Sequence, residues 1–144
     1  MDFEHIRQEL ATFRGTRIVE ANGDVFAIYD PRGDLPPRRQ MPWATVVTSD
    51  NPYDDTSQLD RPGLFRLNIG LTRDRFTELV HPAREHDPTA LDVFFPHPLY
   101  GPQHWVCVIN PRETWPAARN LLVEAHEFAV RKFDNFERRR RRET

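Results

Sequence analysis

Ser-Gln-Leu-Asp-Arg-Pro-Gly-Leu-Phe-Arg-Leu-Asn-Ile-Gly, residues 57–70, decides how the rest of the chain is read. Pro62-Gly63 is a turn signal. Proline presets φ at the second position of a type II turn, and glycine takes the positive φ required at the third. The residues that follow alternate. Phe65, Leu67 and Ile69 fall on one face of a strand, and Leu64, Arg66 and Asn68 fall on the other. One face is therefore core, and the other is either solvated or lines a cleft. Gly70 ends the strand. Thr72 is placed to cap a short helix through Val80, with Phe76, Leu79 and Val80 inward.

Upstream, Asp2 caps a helix with Phe3, Ile6, Leu10 and Phe13 on one stripe, and Gly15 ends it. Asn22-Gly23 between residues 17–21 and 24–29 predicts a β-hairpin, because both central residues must take φ > 0. Residues 43–48 form a third strand, β-branched and aromatic. Two long loops flank it. Residues 30–42 contain Pro31, Gly33, Pro36, Pro37 and Pro42, and residues 49–63 are rich in Asp, Pro and Ser. Loops longer than about 12 residues are usually functional or disordered. That edge of the sheet is the first place to look for a site.

Downstream, residues 81–90 read as a connector broken by Pro82 and Pro88. Residues 92–95 and 104–109 read as strands. The second is apolar at nearly every position, which predicts cover on both faces. Thr114 caps a long helix whose apolar face is Trp115, Ala118, Leu122, Ala125, Ala129, Phe133 and Phe136. The expected fold is a single α+β domain over residues 1–136. It is an antiparallel sheet of about six strands packed by an N-terminal helix, a short middle helix and a long C-terminal helix. Residues 137–144, dominated by Arg138 to Arg142, are expected to be a disordered basic tail, because blocks of like charge repel.

Composition narrows the setting. The single cysteine, Cys107, rules out an internal disulfide and fits a reducing cytoplasm. No apolar run approaches the roughly 18 residues that a membrane span needs, so no membrane partner is expected. The net charge of −2 hides an asymmetry: residues 1–136 hold 15 basic against 20 acidic residues. An acidic body argues against a nucleic-acid groove on the domain itself.

Residues 43–48, Leu59-Asp60-Arg61-Pro62-Gly63 with residues 65–70, and Pro96-His97-Pro98-Leu99-Tyr100-Gly101 with Trp105 and Asn110-Pro111 together carry a resemblance. On them the sequence resembles a bacterial family of small uncharacterised proteins, domain-of-unknown-function family 6194. The element order is also similar to the MmcQ/YjbR-like double-wing domains. That resemblance implies the same α+β class and a nucleic-acid-binding role.

Candidate binding residues are Asp60, Arg61, Arg66, Asn68, His97, Tyr100 and His104. Asp60 and Arg61 belong first to the turn, and as a polar pair they could orient a carboxylate or phosphate. Arg66 and Asn68 are either hydrogen-bonded groups on a covered or solvated sheet face or the floor of a ligand cleft. His97, Tyr100 and His104 cluster, but no His pair at helical spacing and no Cys pair accompanies them, so neither metal nor cofactor is expected. Asp50, Asp54 and Asp55 read as exposed loop carboxylates, and Cys107 as an inert buried thiol. No Gly-x-Ser-x-Gly, P-loop or Gly-x-Gly-x-x-Gly motif is present.

The leading expectation is a cytoplasmic, non-enzymatic domain that binds a small molecule or a protein, as a monomer or homodimer. Its cleft would lie between the two loops and residues 60–68. A nucleic-acid-binding module and an enzyme using Asp60, His97 and His104 are the alternatives.

Overall fold

A computed structural model of the chain describes residues 1–81 and 84–143. Pro82, one of the two prolines of the expected connector, lies outside the described residues. The sheet has six strands in the order β1-β2-β3-β4-β6-β5, and every neighbouring pair is antiparallel. They are β1 (Thr16–Ala21), β2 (Asp24–Tyr29), β3 (Ala44–Val47), β4 (Arg66–Gly70), β5 (Phe94–Pro96) and β6 (Trp105–Ile109). Among the described residues three α-helices accompany them: α1 (Phe3–Ala11), α2 (Arg73–Leu79) and α3 (Trp115–Arg142).

Local signals act where the residues demand them. Asn22 and Gly23 take φ of 53° and 83°, so the β1–β2 hairpin closes through left-handed residues. Pro62-Gly63 turns with Gly63 at φ 78°, and the Leu64 N–H donates to the Arg61 carbonyl. Asp2 accepts from the His5 amide at the start of α1, and Thr72 accepts from the Arg75 amide at the start of α2. A cap outside the notional helix starts α3. Asp92, itself at φ 57°, accepts from the backbone N–H groups of Arg112, Glu113 and Thr114 and from the Thr114 hydroxyl. These bonds hold its carboxyl well below the usual carboxylate range, against the opposing effect of burial.

The two faces of the sheet are covered differently. On one, Val25, Ala27, Ala44, Val46, Leu67, Ile69, Val106 and Val108 pack against Ile6 and Leu10 of α1 and Ala118, Leu121, Leu122 and Ala125 of α3. On the other, Leu59 from the loop after β3 joins Phe95, Cys107 and Ile109 in a second, smaller core, flanked by Val47 and Leu64. This is why β6 is apolar throughout: Val106 and Val108 face the helices, and Cys107 and Ile109 face the loop.

Two features depart from the sequence reading. β3 is an interior strand, so the long loops leave its two opposite ends and do not share one edge. The arginine run continues α3 to Arg142 and is not a separate tail. Arginine is a good helix former, and cations near a helix C-terminus complement its dipole. Glu137 adds to this by pairing with Arg32 at 2.7 Å and with Arg140 at 3.9 Å.

Candidate functional site

Arg66 is the largest fully buried side chain, at 0% exposure. Its β-strand alternation aims it at the loop-covered face, beside Asn68. There it makes its bonds inside the protein. Nε donates to Asn68 Oδ1 at 2.8 Å, and Nη1 donates to Asp54 Oδ1 at 3.0 Å and Ser57 Oγ at 2.9 Å. Nη2 donates to Asp54 Oδ2 at 2.5 Å. Asn68 passes the network on: Nδ2 donates to Thr45 Oγ1 at 2.8 Å, and Oδ1 accepts from the Cys107 thiol at 3.0 Å. Thr45, Asn68, Cys107 and Phe95 are register partners, so this is one row across four strands. Burial pushes the Cys107 thiol far up, which leaves it a neutral donor.

His97 closes the network. Its Nδ1 accepts from the backbone N–H groups of Leu99 and Tyr100, both at 3.0 Å. The neutral ring must therefore carry its proton on Nε2. Nε2 lies 3.9 Å from Asp54 Oδ2 and 3.3 Å from Arg66 Nη2. With Nε2 protonated, the contact to Arg66 sets donor against donor. A second proton would have to displace both backbone donors from Nδ1. Burial, and then the Arg66 guanidinium, lower the His97 pKa to about 4. Neutral, proton-locked and covered, this histidine is built to hold a loop, not to exchange protons with a substrate.

The other candidates are placed apart. Asp60 accepts from the Asp50 amide, and Asp50 accepts from the Leu59 amide, so the pair closes the loop on itself. Arg61 donates to the carbonyls of Gln58 and Ser57. His104 adopts φ 70° after a 3-10 turn and packs on Phe76, with ring centroids 5.7 Å apart. Tyr100 is half exposed, its ring 4.8 Å from that of His97. The structure thus brings together Arg66, Asn68 and His97, with Tyr100 beside them. It leaves Asp60, Arg61 and His104 elsewhere. Among the described residues, no group of three or more His, Cys, Asp or Glu side chains is placed to hold a metal ion.

The open site lies at the other end of β3, on the helix-covered side. The loop before β3 folds as a 3-10 turn, Pro37–Arg39, against the far half of α3. Between them is a groove of about 230 Å³. Tyr29, Trp43, Phe133 and Phe136 supply aromatic walls, and Arg38, Arg39 and Lys132 stand at it. The Arg39 guanidinium sits 4.3 Å from the centre of the Phe136 ring. Among the described residues, no Asp or Glu lines the groove, and Arg38, Arg39 and Lys132 have no carboxylate partner. Trp43 is 3% exposed, and its indole N–H has no acceptor among the described residues. Buried tryptophan N–H groups usually have one. A second hollow shares Arg38, Arg39 and Phe136 and adds Pro36, Arg139, Arg140 and the carboxylate of Glu143, so the groove runs on into the last turns of α3.

The sequence reading passed over this site. Its pieces are a Pro-Arg-Arg turn, an aromatic helix stripe taken as core, and an arginine run taken as a tail. Only the fold places them side by side. Asp54 is not the exposed loop carboxylate its sequence context suggests: its side chain is 10% exposed and bound to Arg66. Ser57 carries no signal in the sequence, though its loop leads straight into the strand that holds Arg66.

The chain matches a family of unknown function, DUF6194, over residues 1–141. The chain belongs to that family. No curated protein and no solved structure matches it. Among the described residues, no helix is long and apolar enough to cross a membrane.

Proposed function

We propose that this protein is a non-enzymatic binding domain, that its site is the Trp43 groove, and that its ligand is an acidic polypeptide segment carrying one apolar anchor. The observation that carries this reading is the groove's composition. Aromatic walls take an apolar body, and three cations without carboxylate partners among the described residues take the negative charge around it. At about 230 Å³ the groove is smaller than the roughly 300–1,000 Å³ of a typical ligand cleft, and it suits one large side chain. Its continuation holds four arginines, Arg38, Arg39, Arg139 and Arg140, against Glu143, so a flanking acidic stretch meets net positive charge there.

The double-wing likeness would direct these cations to nucleic acid. The acidic body weighs against that, as do the groove's buried ring faces, which offer no open platform for stacked bases. The separate engagements of Asp60, His97 and His104 weigh against an enzyme built on them.

The test is fluorescence anisotropy with a labelled peptide containing tyrosine between aspartates, against the same peptide with asparagines. The acidic peptide should bind more tightly and lose affinity as salt is raised. Arg38→Glu with Arg39→Glu should weaken binding at least about tenfold, which corresponds to ~1.4 kcal/mol. Equal binding of the two peptides would overturn the reading.

A further inference from the structure

We infer that the chain carries a ligand for its own groove: the turn bearing Tyr53 on one copy docks into the Trp43 groove of a second copy, head to tail. The inference rests on the reading of the groove given above and names its partner.

Residues 50–55 read Asp-Asn-Pro-Tyr-Asp-Asp. Tyr53 is 83% exposed, the most exposed of the large apolar side chains. Tyrosine is enriched at interfaces, where its ring supplies contact area at low entropic cost. Its backbone is fixed. Asn51 and Asp54 exchange backbone hydrogen bonds at 3.2 and 3.1 Å, and the Tyr53 amide donates to Asn51 Oδ1 at 2.9 Å. The Asp54 side chain is bound to buried Arg66, which ties the turn to the sheet. The ring is thus presented by a rigid mount, and a preordered anchor loses little freedom on binding.

Charge fits the same partner. Asp50, with one oxygen on the Leu59 amide, and Asp55 flank the tyrosine, and the groove offers Arg38, Arg39 and Lys132, which have no carboxylate partner among the described residues. Its volume suits one such ring. Geometry excludes closure within one chain: the groove lies at the start of β3 on the helix-covered side, and the turn follows the end of β3 on the loop-covered side. The contact joins two different patches, so copies exchange it in a closed pair or repeat it in larger rings or open chains.

The experiment is sedimentation velocity on the full chain, from micromolar to millimolar, at low and high salt. The expected result is a mass that grows with concentration and falls back toward the monomer in high salt. Tyr53→Ser and the pair Arg38→Glu, Arg39→Glu alter exposed side chains and should each weaken association at least tenfold, with an unchanged circular dichroism spectrum. Mixed in equal amounts, the two variants should form a 1:1 dimer that grows no further, because each retains only one half of the contact. A wild-type chain that stays monomeric throughout, a Tyr53→Ser variant that assembles like the wild type, or a mixture that does not associate would each overturn the inference. If the acidic tyrosine peptide still binds the groove of a monomeric chain, self-docking fails and the groove reading stands. If neither peptide nor second copy binds, both fail.

Discussion

Arg66 and Arg39 follow the same rules of charge and end in opposite roles. Arg66 lies under the loop after β3 with its donors committed to Asp54, Ser57 and Asn68, and nothing from outside can reach it. Arg39 lies on the loop before β3, over Phe136, and forms no ion pair among the described residues. A guanidinium in the interior must be satisfied there or the fold does not pay for itself. A guanidinium left unanswered beside an aromatic hollow is an attraction for something absent. The difference teaches where to look: the dense polar cluster around Arg66 is fastening, and the sparser one is where we propose the site.

The largest expected effect lies on the fastened side. Asp54→Ala strands a buried cation and should cost about 3–5 kcal/mol in denaturant unfolding. Arg66→Met leaves Asp54 near the surface, where water can reach it, and should cost less. If the two variants unfold alike, the asymmetry argued from burial is wrong.

Acid should loosen the same region. His97 has a folded pKa of about 4, below its ordinary 6.5, so between these values the unfolded chain binds more protons than the folded one. Stability is complete above about pH 6.5 and is lost as pH falls toward 4, by up to about 3 kcal/mol. His97→Asn keeps an acceptor for the Leu99 and Tyr100 amides but cannot take a proton in this range. It should flatten that slope in urea titrations across pH, and an unchanged slope would assign the effect to other groups.

Asp92→Ala removes the cap of α3 and should cost roughly 1–2 kcal/mol. Thermal unfolding measures it, and a loss within error would mean water replaces the carboxylate. The groove stands at the small end of the scale. Arg38→Ala with Arg39→Ala changes exposed cations and should move stability by no more than about 0.5 kcal/mol. The same pair should weaken capture of the acidic peptide. A large stability loss with unaltered binding would exchange the roles assigned to the two regions.

The fold was legible because its signals are local. Asn22-Gly23, Pro62-Gly63 and the caps at Asp2 and Thr72 depend on a few neighbouring residues, and the alternation from Phe65 to Ile69 depends on strand pleating alone. The unbroken apolar run of β6 also announced two covered faces. What covers the second face was not legible, because a loop carries no periodicity. Alternation separated Arg66 and Asn68 from the core face but could not say that residues 54–59 fold back over them. His97 joined them only through backbone pairing with β6. The groove needed still more, since Arg38 and Phe136 lie about 100 residues apart in sequence. The helical arginines show the reverse error. Charge density reads as disorder in isolation, whereas Arg32 and Glu137 tie that end of the helix to the rest of the molecule.

The uneven seating of α3 has a consequence for hydrogen exchange. At 1.5 Å per residue its 28 residues span about 42 Å, yet its fully buried residues end at Ala125. Amides in the early turns should exchange with deuterium only when the whole domain opens, and those beyond residue 134, held by surface contacts alone, should exchange by local fraying of the last turns. The groove borders that fraying half. Whatever fills it should slow deuterium uptake there and leave the early turns unchanged, so one helix carries both the reporter of occupancy and its internal reference.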